Sequence, residues 1–531
     1  MMPELSVRRA RELLPVPTFQ TDGDARRTET RTGGIAMLEK MDLSKTMKPK
    51  EAKRLLEEAG AKLGWLQREC KKEGIPTIIV FEGMGAAGKG VQINRLIQPL
   101  DPRGFAVYTS NHPTREERLR PFLWRYWTRT PEKGRIAIFD RSWYRSVQAD
   151  RFGGAKGDKK IEFDYHDIRS FEKQLYDDGT VLIKFFLYID KKEQKKRFER
   201  LEASKETAWR VSKEDKRRNR HFEEYVKINE QMLEATDSDY APWTLVEAVD
   251  KNYAAVKIIT TVCERLEYAL DRKRQLAEAG IKAGEVVLRE GFKSDVLSGM
   301  DLSKSLERDE YKKQLLQLQK KLERLHNELY HRRIPVIIGF EGWDAGGKGG
   351  AIRRLTSHLD PRGYQVIPTA APNDIEKKHH YLWRFYNEMP KAGHVAIFDR
   401  TWYGRVMVER IEGFCSKEEW ARAYGEINEM EKHLANDGAI ILKFWLHIDK
   451  DEQERRFKAR MEDPAKQWKI TDEDWRNREK WDLYERAVNE MLIRTSTTYA
   501  PWIVVEGNSK YYARVKVLKT VVEAIEKRLK E

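Results

Sequence analysis

The chain has 531 residues, 35% of them charged, with 101 Lys+Arg against 86 Asp+Glu and a formal net charge of +15. Cys70, Cys263 and Cys415 lie far apart with no paired spacing, which argues against a disulfide scaffold or a thiolate zinc site and fits a reducing compartment, so a cytoplasmic location is expected. No apolar run approaches the roughly 18 residues of a membrane span, and the basic excess suits a polyanionic partner.

In chain order, residues 1–40 are rich in Arg, Thr, Pro and Gly and are expected to form a disordered extension. Leu55, Leu56, Leu63 and Leu66 have the spacing of a packing helix. Next comes a glycine-rich loop, Phe81-Glu82-Gly83-Met84-Gly85-Ala86-Ala87-Gly88-Lys89-Gly90. It is written again as Phe340-Glu341-Gly342-Trp343-Asp344-Ala345-Gly346-Gly347-Lys348-Gly349, with Asp344 where the first copy has Gly85. The offset, 348 − 89 = 259, recurs without a gap: Met41–Lys45 becomes Met300–Lys304, Phe139-Asp140-Arg141 becomes Phe398-Asp399-Arg400, and Ala241-Pro242-Trp243 becomes Ala500-Pro501-Trp502. Two homologous domains follow, spanning 41–272 and 300–531 and joined by a charged linker, 273–299. In the second, Ile334–Phe340 is the β-branched run of a buried strand, a helix begins near Gly350, and further strands are predicted at Val395–Phe398, Ile440–Ile448 and Trp502–Val505. This alternation predicts a parallel α/β sheet in each repeat.

Strand, glycine turn and helix in that order are what a phosphate loop requires. In Gly342-x4-Gly347-Lys348, backbone N–H groups converge on an anion, the helix N-terminus adds its dipole, and Lys348 adds a full charge. Gly349 replaces the Ser/Thr whose hydroxyl normally reaches Mg²⁺, so another ligand must substitute. Asp344 in the loop and Asp399 at a strand end are the candidates, although an Asp in the latter position can equally cap the next helix. Arg400 and Arg405 are placed beside the phosphates, where guanidinium forks bind bidentately. A basic segment from Arg455 to Arg478, including Lys466 and Lys469 and interleaved with Trp468, Trp475 and Trp481, reads as a lid or as a solvated helix pair. His379 and His380 are sequence neighbours that diverge on a helix, and no acyl-transfer triad or dinucleotide fingerprint is present.

Taken together, Gly342–Gly350, Leu359-Asp360-Pro361-Arg362-Gly363, Phe398–Arg405 and Ala500-Pro501-Trp502 resemble the family 2 polyphosphate kinases, over almost all of residues 41–531. The resemblance implies a P-loop kinase-like three-layer α/β sandwich with a helical lid, duplicated in tandem. It further implies transfer of the terminal phosphate of inorganic polyphosphate to AMP, giving ADP, with Mg²⁺ as cofactor. Asp344 and Asp399 would serve metal and acceptor, Lys348 and Arg400 the transferring phosphoryl group, and Arg405 the nucleotide side. Gly342, Gly347, Gly349, Lys466 and Lys469 would contact phosphate. The first repeat departs at Gly85 (for Asp344) and Ser146 (for Arg405), so the second is expected to be the catalytic copy; a third change, Val249 for Asn508, has no reading from sequence. Expected partners are polyphosphate and AMP, with self-association as an option, and neither membrane nor nucleic acid. The competing readings are a polyphosphate-dependent nucleoside diphosphate kinase, an ATP-dependent nucleotide kinase, and a non-enzymatic polyphosphate or nucleic-acid binder.

Overall fold

The structure is a computed structural model that describes residues 37–155, 157–278, 295–465, 467–470 and 472–531. Residues 1–36 of the expected disordered extension and Lys466 lie outside the described residues, as do 279–294 of the expected linker and the side chain of Lys469. Residues 37–40, expected to belong to that extension, instead form a turn in which Leu38 is buried and its N–H donates to Glu230 at 3.0 Å. The chain divides into two compact units, Met1–His112 with Arg129–Gly280, and Pro113–Thr128 with Ile281–Glu531. Pro113–Thr128, which the sequence offset places in the first repeat, thus belongs to the second unit. The last helix of the first repeat, Lys251–Glu278, continues past the boundary drawn at 272. Among the described residues no helix is long and apolar enough to cross a membrane.

Each unit contains a five-stranded parallel sheet. The first has β1 (Thr77–Gly83), β2 (Phe105–Thr109), β3 (Ile136–Asp140), β4 (Val181–Tyr188) and β5 (Trp243–Glu247), in the order β2-β3-β1-β4-β5. The second repeats it with β6 (Val336–Gly342), β7 (Tyr364–Pro368), β8 (Val395–Asp399), β9 (Ile440–His447) and β10 (Trp502–Glu506), in the order β10-β9-β6-β8-β7. The central strand β6 is buried along all but its last residue, as a strand covered on both faces must be, and hence reads as an apolar run up to Phe340. Strand β7 is an edge strand of half-buried and exposed residues, so no such run marks it. Helices Arg308–Arg332 and Lys510–Lys530 cover one face through Leu322, Leu329, Val517 and Val521, which pack against Val336, Ile338 and Phe340 of β6.

Strand order positions the site. β6 pairs with β9 on one side and β8 on the other, so the chain leaves its C-terminal end between two diverging crossovers. Open parallel sheets bind ligands in that crevice.

Candidate active site

The loop leaves β6 at Gly342, whose φ is +146° and where a Cβ would lie 2.6 Å from the Leu446 carbonyl oxygen; only glycine fits there. Gly347, at φ +111°, then starts the helix Lys348–Thr356. Lys348 Nζ donates to the carbonyls of Gly342 (2.6 Å) and Trp343 (3.2 Å). Burial lowers its pKa, and the charge of Asp344 opposes that shift. A Cβ at Gly349 would meet nothing within 4 Å, so no packing constraint excludes a hydroxyl there.

Arg400 follows β8 in the left-handed region, at φ +66°, a conformation that costs a non-glycine residue about 1 kcal/mol or more. It aims the guanidinium across the sheet end at Asp344, Nη2 to Oδ1 3.2 Å. The other Asp344 oxygen accepts from Asn477 Nδ2 at 3.2 Å, and its backbone carbonyl accepts from Gln453 Nε2 at 3.1 Å. Asp399 ends β8 in register with Phe340 and Pro368, and its charge reaches Lys348 together with that of Asp344. The structure therefore gathers Asp344, Lys348, Asp399 and Arg400 around one loop.

Beside them opens a cleft. Its floor is Gly342, Asp344 and Arg400; its apolar wall is Trp343, Trp445 and Trp481. Trp343 stacks on Trp481 with centroids 3.7 Å apart and donates its indole N–H to His447 Nδ1 at 3.0 Å.

Arg405, expected beside the phosphates, does not line this cleft. It pairs with Glu409 at 3.1 Å and Glu419 at 4.0 Å, with its guanidinium 4.5 Å over the Tyr381 ring. Largely removed from water, it has turned to the carboxylates that can compensate its charge. The basic segment is likewise not one solvated face. Arg456 is buried and clamps the loop, donating to the carbonyls of Ala345 (2.9 Å), Gly507 (2.6 Å) and Asn508 (3.2 Å). Trp468, by contrast, is 75% exposed.

Three groups escaped the sequence reading. Glu341, buried under the loop, accepts from the backbone N–H (2.7 Å) and hydroxyl (2.8 Å) of Thr401 and so fixes the turn that carries Arg400; burial raises its pKa. An acidic residue closing an otherwise apolar strand was the available signal. Glu431 accepts from Trp402 Nε1 (3.0 Å), Tyr403 Oη (2.8 Å) and Lys443 Nζ (2.8 Å), all buried, and pins the same segment from below. Asn508 donates to Asp449 at 2.6 Å, holding the residue that caps the helix Lys450–Met461. In the first repeat Val249 stands at that position, so the equivalent cap, Asp190, lacks this donor while still capping its helix through Glu193 N–H.

Among the described residues no three His, Cys, Asp or Glu side chains converge into a metal cage. Two carboxylates near one loop lysine nevertheless fit a hard Mg²⁺ ion, which takes much of its shell from phosphate oxygens and water.

The polyphosphate kinase 2 (PPK2) family profile matches residues 46–274 and again 305–531. A polyphosphate:AMP phosphotransferase of Pseudomonas aeruginosa is 43% identical over 461 residues, covering 87% of this chain and 92% of that protein. One from Acinetobacter johnsonii is 34% identical over 451 residues, covering 84% and 90%. A crystal structure described as a polyphosphate kinase 2 from Pseudomonas aeruginosa PA01 superposes with a TM-score of 0.80 at 39% identity, covering 92% of this chain and 98% of that one. With both repeats matched in sequence and 92% of the chain matched in fold, this phosphate-loop enzyme belongs to the polyphosphate kinase 2 family.

Proposed function

We propose that the second repeat moves the terminal phosphoryl group of inorganic polyphosphate onto AMP, giving ADP. The observation that carries this reading is the Asp344–Arg400 pair set over the phosphate loop, beside a cleft with an apolar aromatic wall. The loop amides, Lys348 and Arg400 would hold the terminal phosphate, and the tryptophan wall offers the adenine a stacking surface. An oxygen of the AMP phosphate forms the new bond to the terminal phosphorus as the bond to the bridging oxygen breaks, and the shortened chain leaves with that oxygen and its electrons. The protein contributes orientation and charge neutralisation rather than covalent chemistry. Asp344 and Asp399 would hold Mg²⁺, which when bound adds positive charge against the phosphate oxygens. Lys348 would leave the Gly342 and Trp343 carbonyls to meet the phosphate, so its present hydrogen bonds are those of a waiting cation.

Incubation with polyphosphate, Mg²⁺ and AMP, without ATP, is expected to yield ADP. Formation of ADP only when ATP is the donor would favour an ATP-dependent nucleotide kinase. ADP deserves trial as an alternative acceptor, because a Pseudomonas aeruginosa ADP-polyphosphate phosphotransferase is 38% identical over 254 residues.

A further inference from the structure

The first repeat keeps the loop but has rebuilt the cleft beside it. At the position of Gly404 stands Arg145, and at that of Asn477 stands Arg218; Arg141 corresponds to Arg400. All three arginines line a narrow cleft with Glu82 and Asp215. Three guanidiniums thus face two carboxylates, where the second repeat's cleft has one guanidinium, Arg400, against Glu341 and Asp344. The tryptophan wall is gone as well: Met84, Phe186 and Phe222 occupy the positions of Trp343, Trp445 and Trp481.

The remaining carboxylates compensate the three arginines only in part, although Arg145 donates to the Ser110 carbonyl. Glu82 is buried and spent on Ser142, accepting from its backbone N–H (2.7 Å) and hydroxyl (3.0 Å). Asp215 closes a capping box with Ser212 and lies 3.9 Å from Arg218, with one oxygen 3.3 Å from where a Cβ of Gly85 would be. Among the described residues the Arg141 guanidinium has no hydrogen-bonded or ion-paired partner, and Arg218 Nε is buried without an acceptor. Arg141 retains the left-handed backbone of Arg400, φ +63°.

We propose that this cleft is a second, nucleotide-free binding site for a condensed phosphate chain. The helix Lys89–Ile97 presents its N-terminal amides to one end of the anion and the arginine forks grip its oxygens. Burial, and next the charge of Arg141, push the pKa of Lys89 down to about 8; a bound anion relieves that repulsion. The site holds substrate and catalyses nothing. This deepens the polyphosphate reading of the second repeat but is measured without turnover.

The test uses the full chain carrying Lys348→Ala, which disables the second loop, and labelled tripolyphosphate in equilibrium dialysis without AMP. About one tripolyphosphate per chain is expected to remain bound, and Arg145→Gly with Arg218→Asn, the residues at the corresponding positions of the second repeat, should weaken it at least about tenfold. Lys89→Met, which leaves all three arginines, should weaken it too. In the otherwise unaltered enzyme the arginine pair of substitutions should raise the KM for long polyphosphate at unchanged kcat, and the retained kcat reports that the chain is folded. No tripolyphosphate bound to Lys348→Ala, or binding that both sets of substitutions leave intact, would overturn the proposal. Tighter binding of ATP than of tripolyphosphate would replace it with a nucleotide site. Neither result would touch ADP formation by the second repeat, so failure here and failure of the proposed activity are distinguishable.

Discussion

At the scale of single residues, Asp344 concentrates the chemistry: it touches Arg400 and Asn477, and its charge supports a protonated Lys348. Asp344→Asn preserves the shape and removes the charge, and is expected to cost about 10²–10³ in turnover, as removal of a preorganised electrostatic group does elsewhere. Lys348→Ala should cost a similar factor, read as ADP formation at saturating polyphosphate by protein whose thermal melt is unchanged. Arg405 leads to a different expectation. Because it compensates Glu409 and Glu419, Arg405→Ala should first lower stability, by about 1–3 kcal/mol, through the carboxylates left behind. A melt unchanged from wild type together with a raised KM for AMP would instead mean that the side chain turns to the substrate.

At the scale of elements, the strand β9 couples the site to pH through His447, which accepts the Trp343 indole N–H and therefore sits neutral at Nδ1. Burial pushes its pKa down to about 4, against about 6.5 for an exposed histidine. Between those values the unfolded chain binds more protons than the folded one, so stability is full above about pH 6.5 and falls as pH drops towards 4, by up to roughly 3 kcal/mol. His447→Gln keeps an acceptor for the indole and should flatten this decline in thermal melts between pH 7 and 5; equal slopes for both proteins would refute it. The same elements show what a sequence can disclose. β6, β8 and β9 are legible because each is a largely apolar run buried on both faces, β10 because its Trp-Ile-Val-Val stretch stays apolar although it is an edge strand buried only at its end, and the loop because its glycines answer a close approach to Leu446. β7 is not, since an edge strand needs no such run, and nor is the orientation of Arg405, which depends on carboxylates one turn and fourteen residues away. Arg456 reads in sequence as one cation of a basic stretch; only the fold brings it under the Ala345 carbonyl.

At the scale of the whole molecule, duplication has preserved the framework and changed the lining. Both sheets have the same strand order, both arginines after β3 and β8 are left-handed, and both repeats hold a buried lysine–glutamate pair, Lys184 with Glu172 at 2.9 Å and Lys443 with Glu431 at 2.8 Å. Such pairs are costly to break singly, about 3–5 kcal/mol, so their retention keeps both repeats folded whatever their activity. The cleft beside each loop has no such constraint, and there Gly85, Arg145 and Arg218 have replaced Asp344, Gly404 and Asn477. Lys89→Ala is therefore expected to leave turnover at saturating polyphosphate within a few-fold of wild type, against the 10²–10³ loss for Lys348→Ala. Restoring one residue should not revive the first repeat either. A Cβ at Gly85 would already lie 3.3 Å from Asp215 and 3.4 Å from Gln194 and Phe198, so an aspartate there must displace a neighbouring carboxylate and still lacks the tryptophan wall. The combination Gly85→Asp with Lys348→Ala should thus remain as inactive as Lys348→Ala alone, measured as ADP formed from polyphosphate and AMP. Recovery of even a tenth of wild-type turnover in that variant, or a Lys89→Ala loss as deep as that of Lys348→Ala in folded protein, would make the first repeat a working catalyst and end the division of labour between the two copies.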